Sequence, residues 1–364
     1  VTVAAVGHVL DLTACVDDCK PVVGGKAAGL GSLLRQGLRV PPGFAVTTDA
    51  YREFVVRNGL GREVASLVAS ATSVDDQQHV VDKVRGLFES VPVPGSVADE
   101  IAAAYRRLGR EADVPVAVRS SATAEDLAEA SFAGEHETYL WVVGAEEVVR
   151  HVVRCWASLF TPQAIAYRHH LGMDDIGELA MGVVVQMMVP AEAAGVMLTV
   201  DPVTGDPSQI SIEASFGLGA AVVNGEVTPD RIYVDKVTYD IRSRTVSPKA
   251  IAYRFDHGAG GVVVTEVPET EQSKPAITDD EAVALARLGR QVERAHGCFQ
   301  DIEWAIGPGP ESDREVFLLQ ARPETTWNRK QRGPIAPAGT TVMDRMLAAL
   351  TTKKGRPAGG GMGT

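Results

Sequence analysis

Three stretches of this sequence place phosphate-seeking or cation-seeking side chains where a helix start, a strand end and a hairpin would present them. In Val23-Gly24-Gly25-Lys26-Ala27-Ala28-Gly29-Leu30, a Gly-Gly turn leads into a helix with a lysine in its first turn. Free N–H groups, the helix dipole and an ammonium together favour phosphate at such a place. The spacing is not GxxxxGK[ST], so this is no P-loop, and a structural turn beside a solvated lysine would have the same sequence. In Val118-Arg119-Ser120-Ser121-Ala122-Thr123-Ala124-Glu125-Asp126, an arginine closes an apolar strand and hydroxyl residues follow. Its guanidinium can fork onto a polyphosphate; pairing with Glu125 or Asp126 explains it as well. In Ser131-Phe132-Ala133-Gly134-Glu135-His136-Glu137-Thr138, glycine lets backbone come close to a ligand, as would a plain hairpin loop.

The hairpin stretch permits a geometric argument. On a strand through Asp301-Ile302-Glu303-Trp304-Ala305, Ile302 and Trp304 share one face while Asp301, Glu303 and Ala305 share the other. In Phe317-Leu318-Leu319-Gln320-Ala321-Arg322, alternation sends Phe317, Leu319 and Ala321 inward and Leu318, Gln320 and Arg322 outward. A Gly- and Pro-rich connection allows an antiparallel hairpin that sets Glu303 opposite Gln320 and Asp301 opposite Arg322. Carboxylate and amide oxygens of this kind suit Mg²⁺, with a guanidinium alongside for a transferring phosphoryl group. A solvated hairpin face with one ion pair is the competing description. Gln186 interrupts the apolar run Val183 to Val189, so its buried amide needs a partner, either a base or ribose or another core group. Glu213, before the turn Phe216-Gly217-Leu218-Gly219, is a further acid within reach of such a site.

These residues need elements to hold them. Apolar spacing predicts helices over Lys26 to Gln36, from caps at Thr47 to Asp49 through Val56, and at Val64 to Ala69, Gln77 to Glu89 and Val97 to Leu108. A strand at Val114 to Arg119, a helix at Glu147 to Phe160 and a strand at Ala180 to Val189 follow. Beyond Pro190 strands dominate, at Gly195 to Val200, Gln209 to Ser215, Arg231 to Lys236, Thr238 to Val246 and Gly261 to Val267. The helix Asp279 to His296 and the strands Asp301 to Ile306 and Val316 to Ala321 complete the pattern. The expected organisation is two lobes, 1–190 and 191–327, with a largely flexible tail at 328–364 that includes a helix at Val342 to Leu350.

Composition narrows the function. The 364 residues are enough for two domains of about 100 to 200 residues each. With 45% hydrophobic and 23% charged residues a packed core is expected. The net charge of -12 argues against a broad nucleic-acid surface while leaving room for a small basic pocket. No apolar run reaches the length of a membrane span and Val1 to Leu10 lacks a signal-peptide pattern, so a cytoplasmic protein is expected. Cys15, Cys19, Cys155 and Cys298 are too scattered for a disulfide framework, and no Cys/His cluster or Gly-x-Ser-x-Gly elbow is present.

Taken in order, VGGKAAGLG with VPPGFAVTTDAY, VAVRSSATAEDLAEASFAGEHETYL, and DIEWA with LLQARPET resemble the N-terminal nucleotide-binding region of phosphoenolpyruvate synthase and pyruvate phosphate dikinase, shared with rifampin phosphotransferase. The likeness runs over about residues 7 to 327. It implies an α+β ATP-grasp fold, two lobes clamping ATP, and Mg²⁺ as the metal. It also implies roles: Lys26 and Arg119 on phosphates, Gly134 and Thr138 in a closing loop, Gln186 near the nucleoside, Glu303 and Gln320 on Mg²⁺, and Arg322 on the transferred phosphoryl group. Full-length relatives carry a swivelling domain with a phosphate-accepting histidine and an acceptor-binding barrel; no histidine follows Arg322 here. The expectation is a phosphotransferase component of the pyruvate, water dikinase type that donates to a histidine on a separate domain or subunit. A stand-alone small-molecule kinase and a non-catalytic ATP-binding module are the alternatives.

Overall fold

The computed structural model describes residues 7–71, 73–110, 112–122, 137–162, 165, 180–256, 258, 260–309 and 314–330. Chain contacts separate a unit ending at Glu324 from a short one beginning at Thr325, in which the helix Thr326–Arg329 is described. The expected helix at Val342 to Leu350 lies outside the described residues.

The first part of the larger unit is helical. After β1 (Val9–Asp11) come α1 (Lys20–Arg35), β2 (Gly43–Val46), α2 (Thr48–Arg57), α3 (Leu60–Ala69), α4 (Val74–Ser90) and α5 (Gly95–Leu108). Then β3 (Val116–Ala122), β4 (Thr138–Val142), α6 (Ala145–Ala157) and β5 (Met181–Met187) follow. β1, β2, β4 and β10 went unread in the sequence, being short and without clean alternation. β1 to β5 form one antiparallel sheet in the order β1-β2-β5-β3-β4. Residues 193–323 contribute β6 (Ala193–Leu198), β7 (Gln209–Phe216), α7 (Ala220–Val223), β8 (Asp230–Asp235), β9 (Ile241–Thr245), β10 (Ile251–Asp256) and β11 (Gly261–Glu266). They end with α8 (Glu269–Gln272), α9 (Asp279–His296), β12 (Gln300–Pro308) and β13 (Arg314–Pro323). The second antiparallel sheet has the order β13-β12-β6-β7-β8-β9, and β10 and β11 form a separate hairpin. Helices beside antiparallel sheets make the fold α+β. Among the described residues no helix is long and apolar enough to cross a membrane.

Two cores hold these layers. Phe54, Phe88, Tyr105 and Trp156 from α2, α4, α5 and α6 close over one face of the first sheet, against Val116, Val118, Val183 and Val185. Alternation along β5 sends Val184 to the opposite face, into a second core. There α1 gives Ala27, Leu30 and Leu33, the second sheet gives Ile212, Ile302 and Trp304, and α9 gives Leu285 and Val292. α1 thus buries its apolar stripe against both sheets. α9 is bounded as its signals require: Thr278 and Glu281 make a reciprocal capping box, and Gly297 ends it in the left-handed region. One fully buried ion pair, Lys249 Nζ to Asp230 Oδ1 at 2.5 Å, ties the approach to β10 onto β8. Asp230 also accepts from the Ser247 and Ala276 amides, so its charge is well satisfied. The four cysteines are free, and burial pushes the Cys15 thiol up to about 12, which keeps it protonated.

The turn into α1 fixes where Lys26 sits. Gly24 adopts φ 80° inside the helical span, a break that L side chains resist. Its backbone also lies against β3: an added Cβ would fall 2.0 Å from the Ser121 carbonyl oxygen. The Ala27 amide then donates to Ser121 Oγ at 3.3 Å. Gly24→Ala should therefore cost about 3 kcal/mol, combining positive-φ strain with a backbone clash. Urea unfolding should show the free energy of unfolding falling by that amount; a loss below about 0.5 kcal/mol would contradict this account of the turn.

Candidate functional site

A cavity of about 290 Å³ opens between the two sheets. Its walls follow from strand register. On β3 the residues facing away from the helical core are Ala117, Arg119 and Ser121, of which Ser121 meets α1. Ala117 pairs with Gln186 on β5, and Arg119 pairs with Val184 on β5 and Thr138 on β4. Directly opposed residues share a face, so Arg119, Thr138 and Gln186 lie on one wall. The facing wall carries Ala194 and Gly195 from β6, Glu303 and Ala305 from β12, and Leu319 from β13. Met187 to Val189, Leu218 to Ala220, Val223 and Asn224 also line it.

At one end of the cavity a single guanidinium joins the sheets. Arg119 Nη2 donates to Glu303 Oε2 at 2.7 Å and to Gln320 Oε1 at 2.9 Å. Its Nη1 reaches the Leu319 carbonyl oxygen at 3.4 Å. Among the described residues Arg119 Nε is buried without a hydrogen-bond partner, so the guanidinium keeps a donor unspent. The hairpin register is the one expected: Glu303 opposite Gln320, Asp301 opposite Arg322. One detail of that expectation is corrected. A β-bulge lets Trp304 pair with Leu318, which leaves Leu319 unopposed and inverts the alternation beyond it. Leu318 is consequently buried in the second core, whereas Phe317 packs beside Ala305 on the cavity side.

Charge is concentrated around Glu303. Burial acts to raise its carboxyl, but the charge and hydrogen bond of Arg119, with Arg322 and Lys26 adding to them, hold it below the usual carboxylate range. Two cations besides Arg119 therefore stand close enough to act on this one carboxylate. For Asp301 the balance reverses: burial dominates and pushes its carboxyl up, against the pull of Arg322. Arg322 Nε and Nη2 both sit 2.9 Å from Asp301 Oδ2. Glu303 and Gln320 thus offer a carboxylate and an amide oxygen side by side, with a positive nitrogen already within bonding distance of both. A hard cation that takes one or two protein oxygens and completes its shell with water and phosphate fits that donor set.

The sequence candidates divide accordingly. Arg119, Glu303 and Gln320 meet at the polar end, Arg322 pairs with Asp301 on the same hairpin, the charge of Lys26 reaches Glu303, and Thr138 and Gln186 line the cavity. Gln186 is 3% exposed and donates to the Pro41 carbonyl at 3.3 Å, so a core partner does exist for its amide nitrogen. Gly134 lies outside the described residues. Glu213 is engaged elsewhere, with Arg231 Nη2 at 2.6 Å. Sequence inspection missed the apolar lining: Met187 to Val189, Ala194 and Leu319 read as core, and only their position beside a polar cluster distinguishes them. It also missed the contact of Trp141 with Phe255, ring centroids 4.4 Å apart, which joins β4 to the β10–β11 hairpin. Trp141 holds φ 61° where the β3–β4 register slips.

Residues 20–340 match the family model for the pyruvate phosphate dikinase AMP/ATP-binding domain. A probable phosphoenolpyruvate synthase of Staphylothermus marinus is 40% identical across 94% of this chain, which spans 44% of that relative. Another, from Methanothermobacter thermautotrophicus, is 44% identical across 84% of the chain and 44% of its own length. Rifampicin phosphotransferase of Streptomyces sviceus is 44% identical across 88% of the chain and 36% of its own length. The chain therefore spans less than half the length of these curated relatives. A match over most of the chain places this protein in the pyruvate phosphate dikinase AMP/ATP-binding domain family.

Proposed function

We propose that the chain is the nucleotide-binding part of an ATP-dependent phosphotransferase of the pyruvate, water dikinase type. In this proposal the fold is an ATP-grasp, with lobes 1–190 and 191–327 clamping ATP between their sheets and 328–364 a tail. The observation that carries it is the placement of Arg119, Glu303 and Gln320 at the polar end of an apolar cavity between the sheets. Base and ribose take the apolar part beside Gln186, and the phosphates run toward Arg119, Lys26 and Arg322. Thr138 lines the same cavity, and the family resemblance would give Gly134 and Thr138 a part in closing over the phosphates. Glu303 and Gln320 would hold Mg²⁺, which when bound neutralises phosphate charge.

Phosphoryl transfer asks the protein mainly for positioning and for cations where charge accumulates. Lys26 and Arg119 bind and align the phosphates. Arg322, oriented by Asp301, neutralises the group in flight. The acceptor implied by the family resemblance is a histidine on a separate swivelling domain or subunit. Small-molecule transfer is a second reading, favoured by the 44% identity to a relative named rifampicin phosphotransferase. A cytoplasmic protein acting on small anions, without nucleic acid or membrane, suits a chain of net charge -12 whose cations cluster at the site.

Arg322→Ala should leave affinity for Mg²⁺ and a non-hydrolysable ATP analogue within about fivefold of wild type while transfer falls by about a hundredfold or more. Glu303→Ala should lose the metal-dependent part of binding. Calorimetry with each variant, and acid-labile labelling of a histidine-bearing partner from radiolabelled ATP, measure the two; equal behaviour of both variants would refute the assigned roles. The pH dependence of stability tests the same electrostatics. Since the Glu303 carboxyl is held below its ordinary value of 4.5, the stability it supplies is present above that value and is lost as pH falls through the lowered one. The stability gap between wild type and Glu303→Gln in urea titrations should stay constant from neutral pH down to the ordinary glutamate value and narrow only below it.

A further inference from the structure

The oxygens suited to a divalent cation are the same ones that Arg119 grips. Nη2 of Arg119 lies 2.7 Å from Glu303 Oε2 and 2.9 Å from Gln320 Oε1, so this nitrogen stands between the carboxylate and the amide. A cation placed there would meet a guanidinium that is only 13% exposed and pinned additionally by the Leu319 carbonyl. Like charges at such a distance in a poorly hydrated site repel strongly. The guanidinium must therefore leave before a metal can take both oxygens, and a departing buried charge needs a new counter-charge. Its Nε, without a hydrogen-bond partner among the described residues, is a donor that a new acceptor would satisfy once the guanidinium moves.

We propose that Arg119 is a built-in surrogate cation that blocks the metal site until a nucleotide arrives. It holds Glu303 and Gln320 in the absence of ligand, keeps the carboxylate ionised and paired, and excludes free divalent metal. A polyphosphate supplies the counter-charge that draws the guanidinium away and the oxygens that complete the metal's shell. Exchange of partners then makes metal and nucleotide bind as one cooperative unit, each raising affinity for the other by the same factor. Because Arg119 lies on β3 while Glu303 and Gln320 lie on β12 and β13, the exchange also replaces a direct tie between the sheets with one through the ligand. This inference rests on the metal and phosphate assignments proposed above.

The test measures Mn²⁺ binding to the full chain by water-proton relaxation, with and without the β,γ-imido analogue of ATP. In wild type, Mn²⁺ alone should bind at least about tenfold more weakly than Mn²⁺ with the analogue, the scale of one charge-assisted hydrogen bond. Arg119→Gln should bind Mn²⁺ alone about tenfold more tightly than wild type and lose most of the cooperativity. Arg119→Lys, which keeps the charge and is the milder change for folding, should remain as closed to free Mn²⁺ as wild type. Glu303→Gln should abolish binding in each background. If Arg119→Gln and Arg119→Lys both bind free Mn²⁺ no better and no worse than wild type, with Glu303→Gln still negative, the exchange is overturned alone. Mn²⁺ binding that survives Glu303→Gln would overturn the metal assignment itself.

Discussion

A carboxylate placed between two sheets, largely out of water, is the constraint around which the rest of this structure is arranged. Glu303 would be costly to ionise there without compensation, because desolvation of a charge outweighs most single contacts. Arg119 supplies that compensation from the opposite sheet, and Lys26 and Arg322 add longer-range support. The pairing forces β3 to approach β12 and β13 closely at one end, so the space left beside it becomes the cavity. An electrostatic requirement and a steric result thus have one cause.

The packing of α1 sets how far apart the sheets stand elsewhere. Its apolar residues are shared by the core beneath both sheets, and its entry is locked to β3 by Gly24 and Ser121. Lys26 is carried on this same turn, so the residue that feels the Glu303 charge is mounted on the element that spaces the walls. Farther along, Trp141 against Phe255 provides an apolar contact between β4 and the β10–β11 hairpin, away from the charged end. The contacts that hold the parts of this unit together are therefore ionic at Arg119 and apolar at Trp141.

Much of this was legible in the residues. The helix Asp279–His296 carries its own caps and periodicity, and the structure begins and ends it at those residues. The Glu303–Gln320 register followed from alternation on two strands joined by a short connection. Alternation failed one residue later, because nothing in Leu318-Leu319 signals a bulge; both are apolar, and only packing against Trp304 decides which turns inward. β4 was equally silent, since Thr138 to Val142 borders a loop and owes its pairing to β3 rather than to its own pattern. Arg119 could be picked out as an anion binder, but its contact with Glu303, 184 positions away, required the fold.

The bulge at Leu319 divides β13 into two halves that can vary separately. Toward Arg322 the strand keeps strict opposition to β12, and any change of phase there would move the charged residues off their face. Toward Val316 the phase has already been reset, so side chains such as Phe317 meet the cavity wall independently of that register. A lineage could therefore recut the apolar wall, and with it the shape of the cavity, while the half of the same strand that faces Asp301 and Glu303 remained in place.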